Sequence, residues 1–321
     1  MTSPSVSVTG ATGFVGWHAA VELLADGWTV RGIVRPGNTK PVPEGLEIRE
    51  APLDRDALAA AFDGSELVVH CAALIRARNE QAFRSVNVEG TRAVVSAVNA
   101  TGARLIHISS LAAIGPGTPE RPAREDDRPR PLTAYGKSKL ASEAVVRSDA
   151  RVPWTILRPA AIYGPRDRQF LPLVRLGARG IFPLLAPSST AFTLVYVADV
   201  ARAIAIAARD QRAFGEALFI GHPDPQTAYT ILRHVAQAVG RPYRPRRLSR
   251  PTLHALALAG EAAWRLGRKP IFDLARYAEM RAEGFVCSVD RARALIGFTA
   301  ETGFAEGLEK TIDWYRSNGW T

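Results

Sequence analysis

The sequence predicts an α/β protein: a doubly wound parallel sheet with a smaller, mostly helical C-terminal lobe. Three observations predict it. Apolar, β-branched runs alternate with helical periods from Val6 to Arg158. A glycine turn, Gly10–Gly16, joins the first strand to the first helix. After Pro165 the alternation loosens into proline-punctuated loops and helices. Continuous apolar strands belong in a parallel sheet covered on both faces.

Val6–Thr9 reads as a strand and His18–Asp26 as the helix beyond the glycine turn. Thr29–Val34 and Glu47–Arg49 are strands, Asp56–Phe62 is helical, and Leu67–His70 is a strand. Phe83–Thr101 carries a long helical pattern. Arg104–Ser109 is a strand, Tyr135–Arg147 a helix and Trp154–Arg158 a strand. Gln169–Pro187 holds a short helix and a loop; Thr193–Val197, Asp199–Ala208 and Glu216–Ile220 read strand, helix, strand. His222 to Arg293 is mainly helical, and Phe304–Tyr315 is an amphipathic helix. A crevice between sheet and lobe is where a small molecule would sit.

The chain has 321 residues, 47% of them hydrophobic, and a net charge of +10. That length buries a sizeable core. Cys71 and Cys287 stand alone, which is no disulfide framework and fits a reducing cytoplasm. No signal peptide and no bilayer-spanning run of ~18–20 residues is expected. The only lysines are Lys40, Lys137, Lys139, Lys269 and Lys310; arginine supplies the remaining positive charge, spread along the chain. No aromatic-basic module accompanies it, so no nucleic-acid partner is expected. No metal site is expected. The charge favours an anionic cofactor.

In the glycine turn, Gly10 permits a tight bend, Gly13 lets backbone approach a pyrophosphate, and Gly16 lets helix and strand pack closely. The helix start offers free N–H groups to phosphate. The second strand ends Val34-Arg35-Pro36-Gly37, with no acid to hold a ribose 2′-hydroxyl. Arg35 can fork onto a 2′-phosphate, so NADP(H) is expected ahead of NAD(H); the alternative is that Arg35 stacks on adenine. Tyr135 and Lys139 stand at i and i+4 on one helix face. Free tyrosine has a pKa of about 10. A neighbouring ammonium is expected to lower it, giving a phenol able to exchange a proton with a ketone oxygen.

Gly10-x-x-Gly13-x-x-Gly16, His70-Cys-Ala-Ala73, Asn87-Val-Glu-Gly-Thr91, Ser109-Ser110, Tyr135-Gly-Lys-Ser-Lys139, Arg158-Pro159, Tyr163-Gly-Pro165 and Tyr196-Val-Ala-Asp199 follow one another in order. In this the chain resembles the extended short-chain dehydrogenases/reductases, of the NAD-dependent epimerase/dehydratase superfamily. The resemblance implies a Rossmann-type domain over residues 1–165, continued by 192–221. It implies a substrate-binding lobe from 166–191 and 222–300, and a C-terminal helix in 301–321. It implies Ser110 holding the reacting oxygen, Tyr135 as acid/base, and Lys139 reaching the nicotinamide ribose. Cofactor contacts are implied at Thr12, Phe14, Val15, Leu53, Asp54, Cys71, Ala72, Ala73, Pro159 and Ile162, and a homodimer is implied. Ser109 and His70 read as structural, Cys71 as packing beside the cofactor, and Asn87 as a tie between strands.

Departures from the family pattern guide the choice of substrate. Leu111 and Ala112 stand where dehydratases of the family carry an acid pair. Ala161 and the stretch Phe192-Thr-Leu194 stand where its sugar-nucleotide epimerases carry an asparagine and an arginine. A pocket with Leu111, Ala112, Tyr163 and Phe192 suits an apolar ketone or alcohol, as in the 3β-hydroxysteroid dehydrogenase and dihydroflavonol reductase branches. Two other readings stay open: a sugar-nucleotide 4-epimerase with retained NAD, and a non-catalytic NADP(H)-binding sensor or assembly factor. Arg166 and Arg168 either grip an anion or lie in a solvated loop. Arg124–Pro131 is expected to be a flexible loop over the site. The basic run Arg244–Arg250 and apolar Leu253–Leu266 are expected to pack the lobe or line a dimer contact, ahead of resting on a membrane.

Overall fold

A computed structural model of the chain describes residues 3–268 and 270–321. Seven strands form one parallel sheet: β1 (Ser5–Thr9), β2 (Thr29–Val34), β3 (Glu47–Glu50), β4 (Leu67–His70), β5 (Arg104–Ile108), β6 (Trp154–Pro159) and β7 (Ala217–Ile220). Their order is β7-β6-β5-β4-β1-β2-β3. Thr9 lies opposite Ile33 on one side and His70 on the other. The strand order therefore reverses beside β1, which opens a crevice at the carboxyl ends of β1 and β4.

Side chains of the inner strands feed two cores, while the edge strand β3 stays exposed. Val6, Val8, Val69 and Leu157 pack under helices α1 (Phe14–Ala25) and α5 (Val197–Arg209). Ile33, Val68, Leu105 and Ile156 pack under α2 (Arg55–Phe62), α3 (Gly90–Thr101) and α4 (Ala134–Asp149). Each such side chain contributes about 1.5–3 kcal/mol when fully buried. Ala292, Ile296, Phe298 and Ala300 join the first core, so the end of the stretch assigned to the lobe covers the sheet instead.

The long helical pattern before α3 is interrupted. A short helix, Glu80–Phe83, runs into a π-helical turn, Arg84–Glu89, before α3 begins. The wider turn carries Asn87 inward to 1% exposure. Its amide donates to the Leu74 carbonyl (2.9 Å) and to Ser138 Oγ (2.9 Å), and accepts from Leu74 N–H (2.7 Å). Asn87 thus ties the loop after β4 to α4, a loop-to-helix link in place of the strand-to-strand link expected.

The lobe contains helices Leu171–Ala178, Ala228–Ala238, Arg250–Arg265 and Leu274–Met280. Short strands pair within it, including Ala191–Phe192 between Gln226–Thr227 and Gly284–Phe285. Val174, Phe182, Val235 and residues of the C-terminal helix Phe304–Ser317 share one core. The loop Arg124–Pro131 is pinned rather than free. The Glu125 carboxylate accepts from Phe219 N–H (3.1 Å), its carbonyl accepts from Arg158 (2.9 Å), and Arg130 N–H donates to Ile114 (2.7 Å). Among the described residues, no helix is long and apolar enough to cross a membrane.

Candidate active site

Helix α4 begins at Thr133, whose hydroxyl accepts from Gly136 N–H (3.1 Å). Gly136 is required because a Cβ there would lie 2.3 Å from the Ala112 carbonyl oxygen. This close docking brings Tyr135 to Ser110, the residue that caps the 3-10 turn Leu111–Ala113 by accepting from Ala112 N–H (3.2 Å). Tyr135, Lys139 and Glu143 then follow at helical spacing along one face.

Burial pushes the Tyr135 phenol up to about 12, with the Ser110 hydroxyl opposing the rise. Desolvation is the largest cause, and Lys139, expected to lower the phenol, is not among the groups that shift it. Lys139 is itself only 2% exposed, and burial draws its ammonium down to about 8 against the pull of Glu143. It forms no ion pair among the described residues. From the lobe, Glu279 raises and Arg276 lowers the phenol's pKa, so helix Leu274–Met280 stands close to the site.

Glu143 is a residue that sequence reasoning missed. Its carboxylate accepts from Arg158 Nη2 (2.7 Å) and Nε (3.0 Å) and from the Ser109 hydroxyl. Both ionic side chains are almost fully buried. The pair joins α4 to β6 and to the end of β5, directly behind Lys139 and Ser110. The available signal was its i+4 spacing from Lys139 combined with the arginine preceding Pro159.

His70 is a core side chain. Its Nδ1 lies 2.7 Å from Thr9 Oγ1 and its Nε2 lies 3.1 Å from Thr91 Oγ1. Burial, with the charge of Lys139, depresses it to about 3. His107, not singled out in the sequence, is held neutral in the same way, with Nε2 at 2.9 Å from Ser142 Oγ. Neither serves as a base. Burial raises the Cys71 thiol to about 12, which removes it as a nucleophile.

The cofactor side fits a dinucleotide. Gly10 has φ 73°, and a Cβ there would meet Ala72 N at 2.8 Å; one at Gly16 would lie 2.2 Å from the Gly10 oxygen. Helix α1 starts after Gly13 with no side-chain cap and no acid in its first turn, leaving its N–H groups for phosphate. Thr12, Phe14 and Val15 line this turn, with Ala72 and Ala73 across from it, all partly or fully accessible. Arg35 is exposed at the end of β2 and makes no ion pair among the described residues. Leu53 lies against Gly90. Asp54 uses Oδ1 to cap α2, accepting from Asp56 and Ala57 N–H. Pro159 and Ile162 follow the buried Arg158. The unpaired, buried Lys139 cation also suits ribose hydroxyls.

The four expected substrate residues divide. Ala112 and Phe192 keep some exposure. Leu111 and Tyr163 are buried in packed clusters. Leu111 is 3% exposed and packs on Ile114 and Phe219. Tyr163 is 2% exposed among Phe170, Tyr196 and Phe304, because Gly307 of the C-terminal helix leaves room for its ring. Arg166, the one non-glycine residue with positive φ among the described residues (73°), stacks 3.4 Å over Trp17, and Arg168 lies 4.7 Å over Trp320. Arg166 is half-buried against its aromatic partner, whereas Arg168 remains exposed in the loop. Arg76 joins the loop after β4 to the lobe. It pairs with Asp273 (2.8 Å), donates to the Pro270 carbonyl and lies over Trp264.

Residues 6–221 match the model of the NAD dependent epimerase/dehydratase family. The chain is 33% identical over 320 residues to the ceramide reductase of Caulobacter vibrioides, covering 98% of this chain and 95% of that protein. It is 29% identical to the decarboxylating sterol-4-alpha-carboxylate 3-dehydrogenase of Saccharomyces cerevisiae, covering 97% of each. Among solved structures, it superposes with a TM-score of 0.77 and 27% identity on MoeE5 in complex with UDP-glucuronic acid and NAD, covering 98% of this chain and 99% of that one.

Proposed function

The chain belongs to the NAD dependent epimerase/dehydratase family, as an NAD(P)-dependent enzyme of the extended short-chain dehydrogenase/reductase type, and from that premise we propose that it reduces the ketone, or oxidises the secondary alcohol, of a hydrophobic, lipid-like molecule with NADP(H). The observation carrying this reading is the convergence of Ser110, Tyr135 and the buried Lys139 beside positions that lack the acids of a dehydratase. The bound nicotinamide supplies or accepts the hydride. Tyr135, protonated at neutral pH, gives its proton to the carbonyl oxygen, and in reverse takes it back. The Ser110 hydroxyl donates to that oxygen and fixes its position. Lys139 stabilises the phenolate left behind. Two relatives act, by their names, on ceramide and on a sterol, which supports an apolar substrate. The exposed Arg35 supports NADP(H).

The test is separate titration of purified protein with NADPH and NADH, followed by a panel of apolar ketones. Reversible binding with NADPH preferred, and a preference lost in Arg35→Ala, is the expected outcome. Tightly retained NAD with interconversion of a nucleotide sugar would replace this reading by the epimerase.

A further inference from the structure

Between Arg241 and Phe272 the sequence holds seven arginines, one lysine and a single glutamate, a net +7 of the chain's +10. The positive charge is therefore concentrated in the lobe, more than a uniform arginine bias would give. Helix Arg250–Arg265 runs through this segment. Leu253, Ala257 and Gly260 are buried on its inner stripe, and Gly260 meets the Phe272 carbonyl so closely that a Cβ would lie 2.0 Å away. At 100° per residue, the opposite face carries Pro251, Ala255, Leu258, Ala259, Ala262 and Leu266. All six are exposed, and none is charged. A solvent-facing helix normally carries charge there.

Leu258 is 49% and Leu266 77% exposed. At the helix's C-terminal end, Ile271 (66%) and Ile75 (53%) extend the apolar surface. Contacts from Arg76 to Pro270 and from Arg78 to the Arg265 carbonyl hold these segments together. Exposed arginines flank the face at both ends: Arg244, Arg246, Arg247 and Arg250 at one, Arg265 and Arg268 at the other. The single acid, Glu261, accepts from Leu274 N–H on the inner side.

We propose that this face docks the enzyme on an anionic phospholipid leaflet, apolar side chains in the interface and arginines on the headgroups. The pattern is that of a helix lying in a membrane surface: an uncharged face, a basic margin and no length to span. A second copy of the same face would set those arginines against like charge. The helix packs on Leu274–Met280, which stands near Tyr135, so the docked face lies one helix from the chemistry. This deepens the lipid-like substrate proposed above by giving that substrate a source.

Flotation tests it, using phosphatidylcholine vesicles with and without phosphatidylglycerol at low and raised salt. The protein is expected to rise with the phosphatidylglycerol vesicles and to be released by salt. The double variant Leu258→Glu/Leu266→Glu is expected to bind about tenfold less, with unchanged circular dichroism and NADPH affinity. Absence from the phosphatidylglycerol fraction overturns the proposal. Undiminished binding by the double variant also overturns it, because charge alone would then suffice. A dimer that the double variant dissociates would assign the face to a second copy and overturn it as well. Turnover of a detergent-dispersed ketone is read separately. A protein that floats but reduces no ketone keeps the docking surface and loses the proposed reaction.

Discussion

At Tyr135, burial rather than its lysine neighbour sets the resting state, and the consequence is directional. A phenol raised to about 12 is a filled proton donor at neutral pH, which suits reduction. Tyr135→Phe is expected to lower kcat by about 10²–10⁴-fold while leaving cofactor affinity nearly unchanged, read by steady-state rates beside a fluorescence titration. Lys139 adds a pH limit. Its ammonium titrates at about 8, below its ordinary 10.5, so kcat/KM for reduction is expected to be level below pH 8 and to fall above it as the charge is lost. A profile level to pH 10 would remove Lys139's charge from the mechanism. At this scale the sequence was most legible where chemistry demands one residue type: the Tyr135–Lys139 spacing and Ser110, two residues past the end of β5. It was least legible for Leu111, Tyr163 and Glu143. Those positions depend on what another segment presses against them, and nothing local to Tyr163 announces the gap opposite Gly307.

Among the elements, the turn from β1 to α1 separates packing from binding. A methyl on Gly16 would collide with backbone that cannot retreat, at 2.2 Å, whereas one on Gly13 would sit 3.0 Å from the same Gly10 oxygen. Gly16→Ala is therefore expected to cost about 1–3 kcal/mol of stability, and Gly13→Ala less, with its loss falling on cofactor affinity. Denaturant unfolding alongside NADPH titration distinguishes the two. Equal destabilisation by both would show that the turn shifts to absorb the Gly16 methyl. Most strands of the sheet were readable because they are apolar runs bounded by turn residues; the edge strand β3, Glu47–Glu50, is charged and exposed. The π turn at Arg84–Glu89 was not, since helical periodicity is blind to one inserted residue; its reason is the inward amide of Asn87. The two-residue strands of the lobe were equally silent, being made by tertiary pairing alone.

For the whole molecule, two neutral imidazoles buried side by side, with ring centroids 5.4 Å apart, make folding sensitive to acid. His70 is depressed to about 3 in the fold but titrates near 6.5 when unfolded. The unfolded chain thus binds more protons between these values. Stability from this group is complete above about pH 6.5 and is lost as pH falls toward 3; His107 acts in the same sense. Melting temperature is expected to drop steadily between pH 6.5 and 4, and a flat response would contradict the burial. Arg76 has a different bearing. One guanidinium links the loop that borders the cofactor turn to two helices of the lobe, one of which stands close to Tyr135. Binding events joined by such a tether obey reciprocity: the factor by which cofactor tightens substrate equals the factor by which substrate tightens cofactor. Cutting the tether moves both numbers together, or neither.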